Sequence, residues 1–283
     1  MAFGSKIIFL IALGTSFLLY ERVEGADPNP KSSSDSLPRP ILAYSFEKVT
    51  SSVIRDDSRS GNVYISVAYD ISGPFIPTTG PSFPDSGKAF YFDGTQQQRI
   101  EVSGAALTLP AFTIMADVRL SDPVNFTDPA NLRWEICEKA GSYWANIRMD
   151  QGPIIPGPPY VLRVGGFFSG RQDVSFTGVT GLIPGQWQNV AVVFDPVAHT
   201  FTSYVDGVLD HTQTRTGTLD ASITNNGIDE NLVIGAKHRL GGAGELLEAF
   251  FDGQMDNYRL YNVALTAAEV AAVAGIPVKP SRH

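Results

Sequence analysis

The chain has 283 residues, of which 43 % are hydrophobic, enough apolar material for a sizeable core and too much for global disorder. Its formal net charge is −8 and it has no Lys/Arg cluster, which argues against a nucleic-acid partner, because neutralising phosphates takes concentrated cations. With 27 Gly, 19 Pro, 17 Phe and 10 Tyr, the composition favours strands over helices.

Residues 1–25 read as a secretory signal. Lys6 supplies the positive start, IIFLIALGTSFLLY (7–20) the apolar stretch and ERVEG the polar close, with Val23 and Gly25 at −3 and −1 of a cut before Ala26. The apolar stretch is shorter than the ~20 residues of a membrane span. The mature chain is therefore expected to be secreted, with no membrane span. Residues 26–40 (ADPNPKSSSDSLPRP) read as a flexible, Pro/Ser-rich lead-in.

From ILAYSFE onward, strand-like runs alternate with turn signals at short spacing, the rhythm of an all-β sandwich. A first Asp-Gly pair, 93–94, separates AFYF from QRIEV. FTIMADVRL (112–120) has period 2, so Phe112, Ile114, Ala116, Val118 and Leu120 are expected on the core, and Thr113, Met115, Asp117 and Arg119 toward solvent. Asn125-Phe126-Thr127 fits the N-glycosylation pattern in a Pro- and Asp-rich loop. Cys137 is the sole cysteine, so no intramolecular disulfide can form; inside WEICEK it reads as a small buried hydrophobe in preference to a nucleophile.

WQNVAVVF (187–194) is apolar on both parities and reads as a central strand, with Trp187 in the core. Asp206-Gly207 separates TSYV from VLDH by two residues, a hairpin with a type I′ turn. LTAAEVAAV (265–273) is the one helical segment, with Thr266 and Glu269 forming a capping box. Residues 275–283 form a tail.

Two longer stretches carry a family resemblance. GQWQNVAVVFDPVAHTFTSYVDGVLDHT (185–212) resembles the laminin G-like branch of the concanavalin A-like jellyroll sandwiches. NLVIGAKHRLGGAGELLEAFFDGQMDNYRLYNVALTAAEV (231–270) is similar to that family's closing signature, and AYSFEKVTSSVIRDDSRSGN (43–62) to its opening strand and loop, with Arg59 as an insertion. FTIMADVRL and ICEKAGSYWANIRM fit its middle strands. The resemblance spans residues 41–274. It implies two antiparallel sheets stacked as a jelly roll, with one short C-terminal helical turn. It also implies, in many members, a structural Ca²⁺ and a sugar site. Fold alone does not set function.

Three chemistries compete for the carboxylates. Catalysis by a pair would need both on one face. The Glu-x-Asp-x-Glu pattern of related glycosidases is absent, and Glu135 and Glu138 differ in parity, so only a bulge would bring them together. No Gly-x-Ser-x-Gly elbow and no paired Cys/His set appears. The second chemistry is a metal. Ca²⁺ takes six to eight hard oxygens. The resemblance implies Glu47, Asn62 and Asp256 as ligands, with Asp57 in reserve. The third is turn formation, the preferred reading of Asp252 before Gly253.

For sugar, stacking aromatics with Arg and Asn partners are sought. The 141–171 region offers Tyr143, Trp144, Arg148, Tyr160, Arg163 and Arg171, with the long insertion PIIPGPP between them, and 236–250 offers His238 and Arg239. The expectation is a secreted domain that binds carbohydrate or glycoprotein, with Ca²⁺ as a structural ion. A polysaccharide hydrolase or lyase on the same scaffold is the first alternative, though no catalytic motif is found. An adhesion module that binds protein is the second. The oligomeric state is open.

Overall fold

The computed structural model describes residues 37–275, apart from 63, 84–86, 104–106, 126–131, 140–141, 150–159, 169–171, 216, 218, 220–230 and 240–245. The signal-like segment and the C-terminal residues 276–283 lie outside the described residues. The first strands are β1 (Leu42–Tyr44), β2 (Val53–Ile54), β3 (Ile65–Asp70), β4 (Gly73–Pro74), β5 (Thr79–Pro81), β6 (Lys88–Phe92) and β7 (Arg99–Ser103). Then come β8 (Phe112–Leu120), β9 (Arg133–Lys139), β10 (Tyr143–Met149), β11 (Tyr160–Phe168) and β12 (Gln172–Gly181). The last are β13 (Gln188–Asp195), β14 (Thr200–Val205), β15 (Val208–Thr214), β16 (Leu232–Ile234), β17 (Lys237–Arg239), β18 (Leu246–Glu248) and β19 (Gly253–Tyr261), followed by helix α1 (Ala267–Val273).

Two antiparallel sheets form the sandwich. One has eight strands in the order β15-β14-β13-β8-β19-β6-β5, with β1 also paired to β19; the other has nine, β12-β11-β10-β9-β16-β7-β3-β2, with β4 on β3. A separate β17–β18 hairpin completes the strands. The first and last strands lie side by side, Leu42 opposite Leu260 and Tyr44 opposite Tyr258. Among the described residues, no helix is long and apolar enough to cross a membrane.

The core fills the space between the sheets. Phe112 stacks on Tyr143 with ring centres 4.4 Å apart, and Phe194 and Phe201 pack beside them. Phe90 and Phe92 extend the aromatic cluster toward Phe251. Cys137 is fully buried, and burial pushes its thiol up to about 12, so it is inert packing.

The inward face of β8 carries the expected Phe112, Ile114, Ala116, Val118 and Leu120. Its other face departs from expectation. Thr113, Met115 and Asp117 are buried as well, and do not face solvent. The segment after β19 covers them: Thr113 Oγ1 donates to the Val263 carbonyl (2.9 Å) and accepts from the Leu265 amide (2.9 Å), and Leu265, Val270 and Val273 are buried nearby. Trp187 also departs from expectation. It is half-buried and outside the core, because it precedes β13 at the rim of the sheet.

Turn chemistry follows the sequence closely. Asp206 and Gly207 have φ of 51° and 73°, as a type I′ hairpin requires. Thr266 Oγ1 accepts from the Glu269 amide while Glu269 Oε2 accepts from the Thr266 amide, closing the capping box of α1. Asp93 instead caps a 3-10 turn over Gly94–Gln96, because β6 and β7 belong to different sheets.

Four strand pairs shift register: where β11 meets β12, β12 carries two extra residues between Thr177 and Gly181, and each of the other three pairs has one. Ile136 is the extra residue where β9 meets β10, Asp210 where β15 meets β14, and one extra residue beside Asn257 (φ 49°) where β19 meets β8. Asp210 joins the two sheets at one edge. Its Oδ1 accepts from the Val179 and Thr180 amides of β12 (2.9 and 2.6 Å), and its Oδ2 from Ser203 Oγ (2.7 Å).

Phe112→Ala should destabilise the fold by about 3–5 kcal/mol, through lost transfer energy and an unfilled cavity. Chemical denaturation would read this as a lower midpoint with an unchanged slope.

Candidate functional site

Two polar clusters lie on the outward faces of the sheets. The first gathers at the β1–β19 end of the eight-stranded sheet. Asp256 is buried, at 2 % exposure, and burial pushes its carboxyl up to about 8, with the charges of Asp117 and Glu47 adding to the rise. Its Oδ1 accepts from the Asn257 amide (2.6 Å), and Ser82 also bonds to it. Glu47 approaches from beyond β1 and accepts from the Lys88 amide (3.2 Å). Gly87 has a φ of 114°, and a Cβ there would lie 1.9 Å from Glu47 Oε1, so a side chain would be strained and would push this carboxylate aside.

The same cluster continues inward. Asn257 Nδ2 donates to Asp117 Oδ2 (2.7 Å) and to the Phe83 carbonyl (3.2 Å), and Asn189 Nδ2 donates to Asp117 Oδ1 (2.6 Å). Burial raises the Asp117 carboxyl, while those two amides and the Arg259 charge oppose the rise.

Glu47 and Asp256 are thus brought together, as the resemblance implies. Asn62 is not. It is exposed, and its loop hangs through Ser60 from the Ile41 carbonyl (3.0 Å), before β1, whereas Glu47 lies past its end. The register of β1 on β19 carries Asp256 toward the Glu47 end. Asp57 lines one shallow cleft with Glu47, but its Oδ2 is engaged by Ser45 Oγ (2.7 Å). Among the described residues no group of three acidic, His or Cys side chains converges. The Asp256 carboxyl, with the Glu47 charge close enough to raise it further, and the nearby Phe83 carbonyl suit a hard cation, with the remaining oxygens left to backbone or solvent.

Asp252 is a structural residue. Gly253 opens β19 and forms no turn, and Asp252 before it is buried, accepting from the Gly94 amide (3.2 Å) and Asn125 Nδ2 (3.0 Å). The Asn125 carbonyl in turn accepts from Trp134 Nε1 (2.8 Å). Phe126 and Thr127 of the glycosylation pattern lie outside the described residues.

The second cluster covers the outward face of the nine-stranded sheet. Val233, Glu138, Trp144, Gly165 and Ser175 are aligned opposite one another in one row. Glu135, Asn146, Arg163 and Thr177 form the next. Cys137, Ala145 and Ile147 point the other way, into the core. The bulge at Ile136 is what makes this possible: it shifts parity by one, so Glu135 and Glu138 share a face. The expectation that they oppose each other is corrected, and both, with Lys139, are buried instead of facing solvent.

Burial pushes the Glu135 carboxyl up to about 8, against the opposing charges of Lys237, Arg133 and Arg163 and a bond from Asn146 Nδ2 (3.2 Å). The β17–β18 hairpin lies over this cluster. The Ala249 carbonyl accepts from the Glu135 amide (2.8 Å), and Glu248 pairs with Arg133 (2.5 Å) and Lys237 (3.8 Å).

The sugar candidates divide. Tyr143 belongs to the core, stacked on Phe112, with its hydroxyl donating to the Leu107 carbonyl (2.8 Å); its inward parity removes it from any surface site. Tyr160 is half-buried edge-on to Trp134. Trp144 lies on the outward face but is only 5 % exposed, because Arg163 sits over its ring at 5.0 Å. A Cβ at Gly165 would fall 2.4 Å from the Trp144 ring, so glycine lets the indole lie on the sheet. Arg163 Nη2 donates to Ser175 Oγ (2.6 Å), and Arg148 is exposed. Arg171 and the side chains of His238 and Arg239 lie outside the described residues.

These two layers, with first and last strands paired, can be set beside known proteins. Residues 159–271 match the family model of the concanavalin A-like lectin/glucanases superfamily. The resemblance read from the sequence is shown over that stretch. The two-sheet sandwich aligns with domain 4 of AbnA, a GH43 extracellular arabinanase from Geobacillus stearothermophilus solved with arabinotriose. That alignment has 17 % identity and a TM-score of 0.53, covering 84 % of this chain and 100 % of that one. The binding domain of botulinum neurotoxin DC, solved with rat synaptotagmin II, aligns at 10 % identity and a TM-score of 0.53, over 83 % of this chain and 51 % of that one. The botulinum neurotoxin type G receptor-binding domain aligns at 11 % identity and 0.52, over 83 % and 50 %. At these identities the likeness is one of fold. No curated protein matches the chain.

Glu135 makes stability depend on pH. Its folded affinity for a proton is raised from 4.5 to about 8, so its contribution is fully present below pH ~4.5 and is lost as pH rises through about 8. Urea titrations from pH 5 to 9 should show falling stability, and Glu135→Gln should flatten that fall. Asp117 and Asp256 act in the same direction, so part of the slope should persist.

Proposed function

We propose that the chain is a secreted carbohydrate-binding domain that presents the outward face of the nine-stranded sheet to a glycan. The observation that carries this is the pair of aligned rows on that face, where Trp144, Asn146, Arg163, Ser175 and Thr177 meet without interruption across three strands. Such a floor combines an aromatic ring with fixed donors and acceptors, the mixture that sugar rings and hydroxyls require. Arg148 lies in the same face and is open to solvent. That AbnA domain 4 was solved with arabinotriose adds support at the level of fold.

A structural Ca²⁺ at the strand ends is the second part of the proposal. Glu47 and Asp256 would hold it, and the ion would offset the burial that penalises the charged Asp256 carboxylate. Asp256 belongs to the other sheet, so an ion held there would fasten the chain ends with no contact to sugar.

A second reading has one observation behind it. The Ile136 bulge places Glu135 and Glu138 on the sugar-facing side, as a cleaving enzyme would need. Their burial under the hairpin favours binding over turnover.

Two experiments test these readings. A glycan array of the purified protein, followed by product analysis, should show retention without shortened oligosaccharides. Shortened products would establish the enzyme, and silence on every glycan would point to a protein partner. Separately, Ca²⁺ at a hundredfold over its dissociation constant should stabilise the fold by about 2.7 kcal/mol relative to EDTA. Asp256→Ala should abolish that gain. Equal melting with Ca²⁺ and EDTA would reject the ion.

A further inference from the structure

Three buried atoms on one patch of the outward face have no hydrogen-bond partner: Glu135 Oε1, Asn146 Oδ1 and Arg133 Nε. Glu135 and Asn146 lie directly opposite each other on β9 and β10. Arg133 shares the parity of Glu135 two residues away. Buried polar atoms are nearly always paired, so three orphans in one place mark a missing partner.

Their chemistry restricts what that partner is. The amide oxygen of Asn146 only accepts, and Arg133 Nε only donates. A metal ion could not accept from Arg133, and Lys237 and Arg163 add positive charge beside Glu135. A carboxylate or sulfate could not donate to Asn146, and an ammonium group could not accept from Arg133. A hydroxyl both donates and accepts, and it pairs with Glu135 whether or not that carboxyl carries a proton.

We propose that Glu135, Asn146 and Arg133 form a subsite for two adjacent hydroxyls of an uncharged sugar, covered by the β17–β18 hairpin. This rests on the carbohydrate-binding reading and adds the ligand class and the residues that select it. The hairpin must lift for the sugar to enter. It is held by the Glu248 ion pair with Arg133, by the bond from the Glu135 amide to the Ala249 carbonyl, and by Leu247 packed on Val233, Ala236 and Phe250.

The test uses calorimetric titration with neutral arabinotriose and cellotriose, anionic trigalacturonic acid and a cationic glucosamine trimer. Wild type should bind a neutral probe and neither charged one. Glu135→Met and Asn146→Leu remove the orphan atoms at similar volume. They should weaken that binding at least about tenfold, the loss expected for one hydrogen bond to a charged or buried group. Undiminished binding by both variants would sink the subsite and leave the carbohydrate reading standing; the orphans would then hold only water. Wild-type preference for a charged probe would overturn the ligand class. Failure to bind any probe, with silence on the array, would bring down both. Should the two variants unfold, Glu248→Gln decides the matter: it loosens the hairpin and should speed association of the neutral probe severalfold, and an unchanged rate would refute the covered subsite.

Discussion

The closing strand β19 is the constraint on which the sandwich depends. It is hydrogen-bonded to β8, β6 and β1, so strands from three distant parts of the chain meet on it. Gly253 shows how tight that meeting is. It has φ of 145°, and a Cβ there would lie 2.2 Å from the Arg119 carbonyl oxygen, a distance no side chain tolerates. Because β19 sits inside the sheet and not at its margin, residues near its ends are forced inward. That is how Asp256 comes to be buried next to a segment that follows β1, more than 200 positions earlier in sequence.

Irregularity, not regular pleating, places the polar chemistry. Each of the three single-residue bulges bears on a carboxylate. The bulge at Ile136 puts Glu135 on the face of Glu138, the one beside Asn257 accompanies the burial of Asp256, and Asp210 is itself an extra residue, free to reach across to β12. A strand without these insertions would have sent each group elsewhere. The outward faces of both sheets are accordingly more interior-like than a simple two-sided sandwich implies. The C-terminal segment seals part of one face and the β17–β18 hairpin part of the other.

Local features were legible in the sequence, and those that depend on distant partners were not. The Asp206-Gly207 turn, the Thr266 cap and the inward parity of β8 follow from interactions within a few residues, and each is present. The outward parity of β8 was misread as solvent-facing because period 2 says which residues share a face, not what covers it. Tyr143 and Trp144 are neighbours of similar composition, yet one is core and the other is outward; only the register with β9 and β11 separates them. Asn62 fits a motif that the fold leaves at the wrong end of β1. The Ile136 bulge has no signature in WEICEK at all, since neither Gly nor Pro announces it.

Asp210 has a consequence for how the molecule tolerates crowding. An outermost strand offers a row of open amides to which a second copy can add its own strand, the first step toward fibrils. Here the outermost strand of each sheet lies on the same side, β12 above β15, and the carboxylate occupies two of those amides while tying the layers together. On the opposite side Pro81 ends β5 without an amide to offer. Loss of the Asp210 carboxylate would therefore leave the fold recognisable and expose it to self-association, with insolubility preceding any loss of binding.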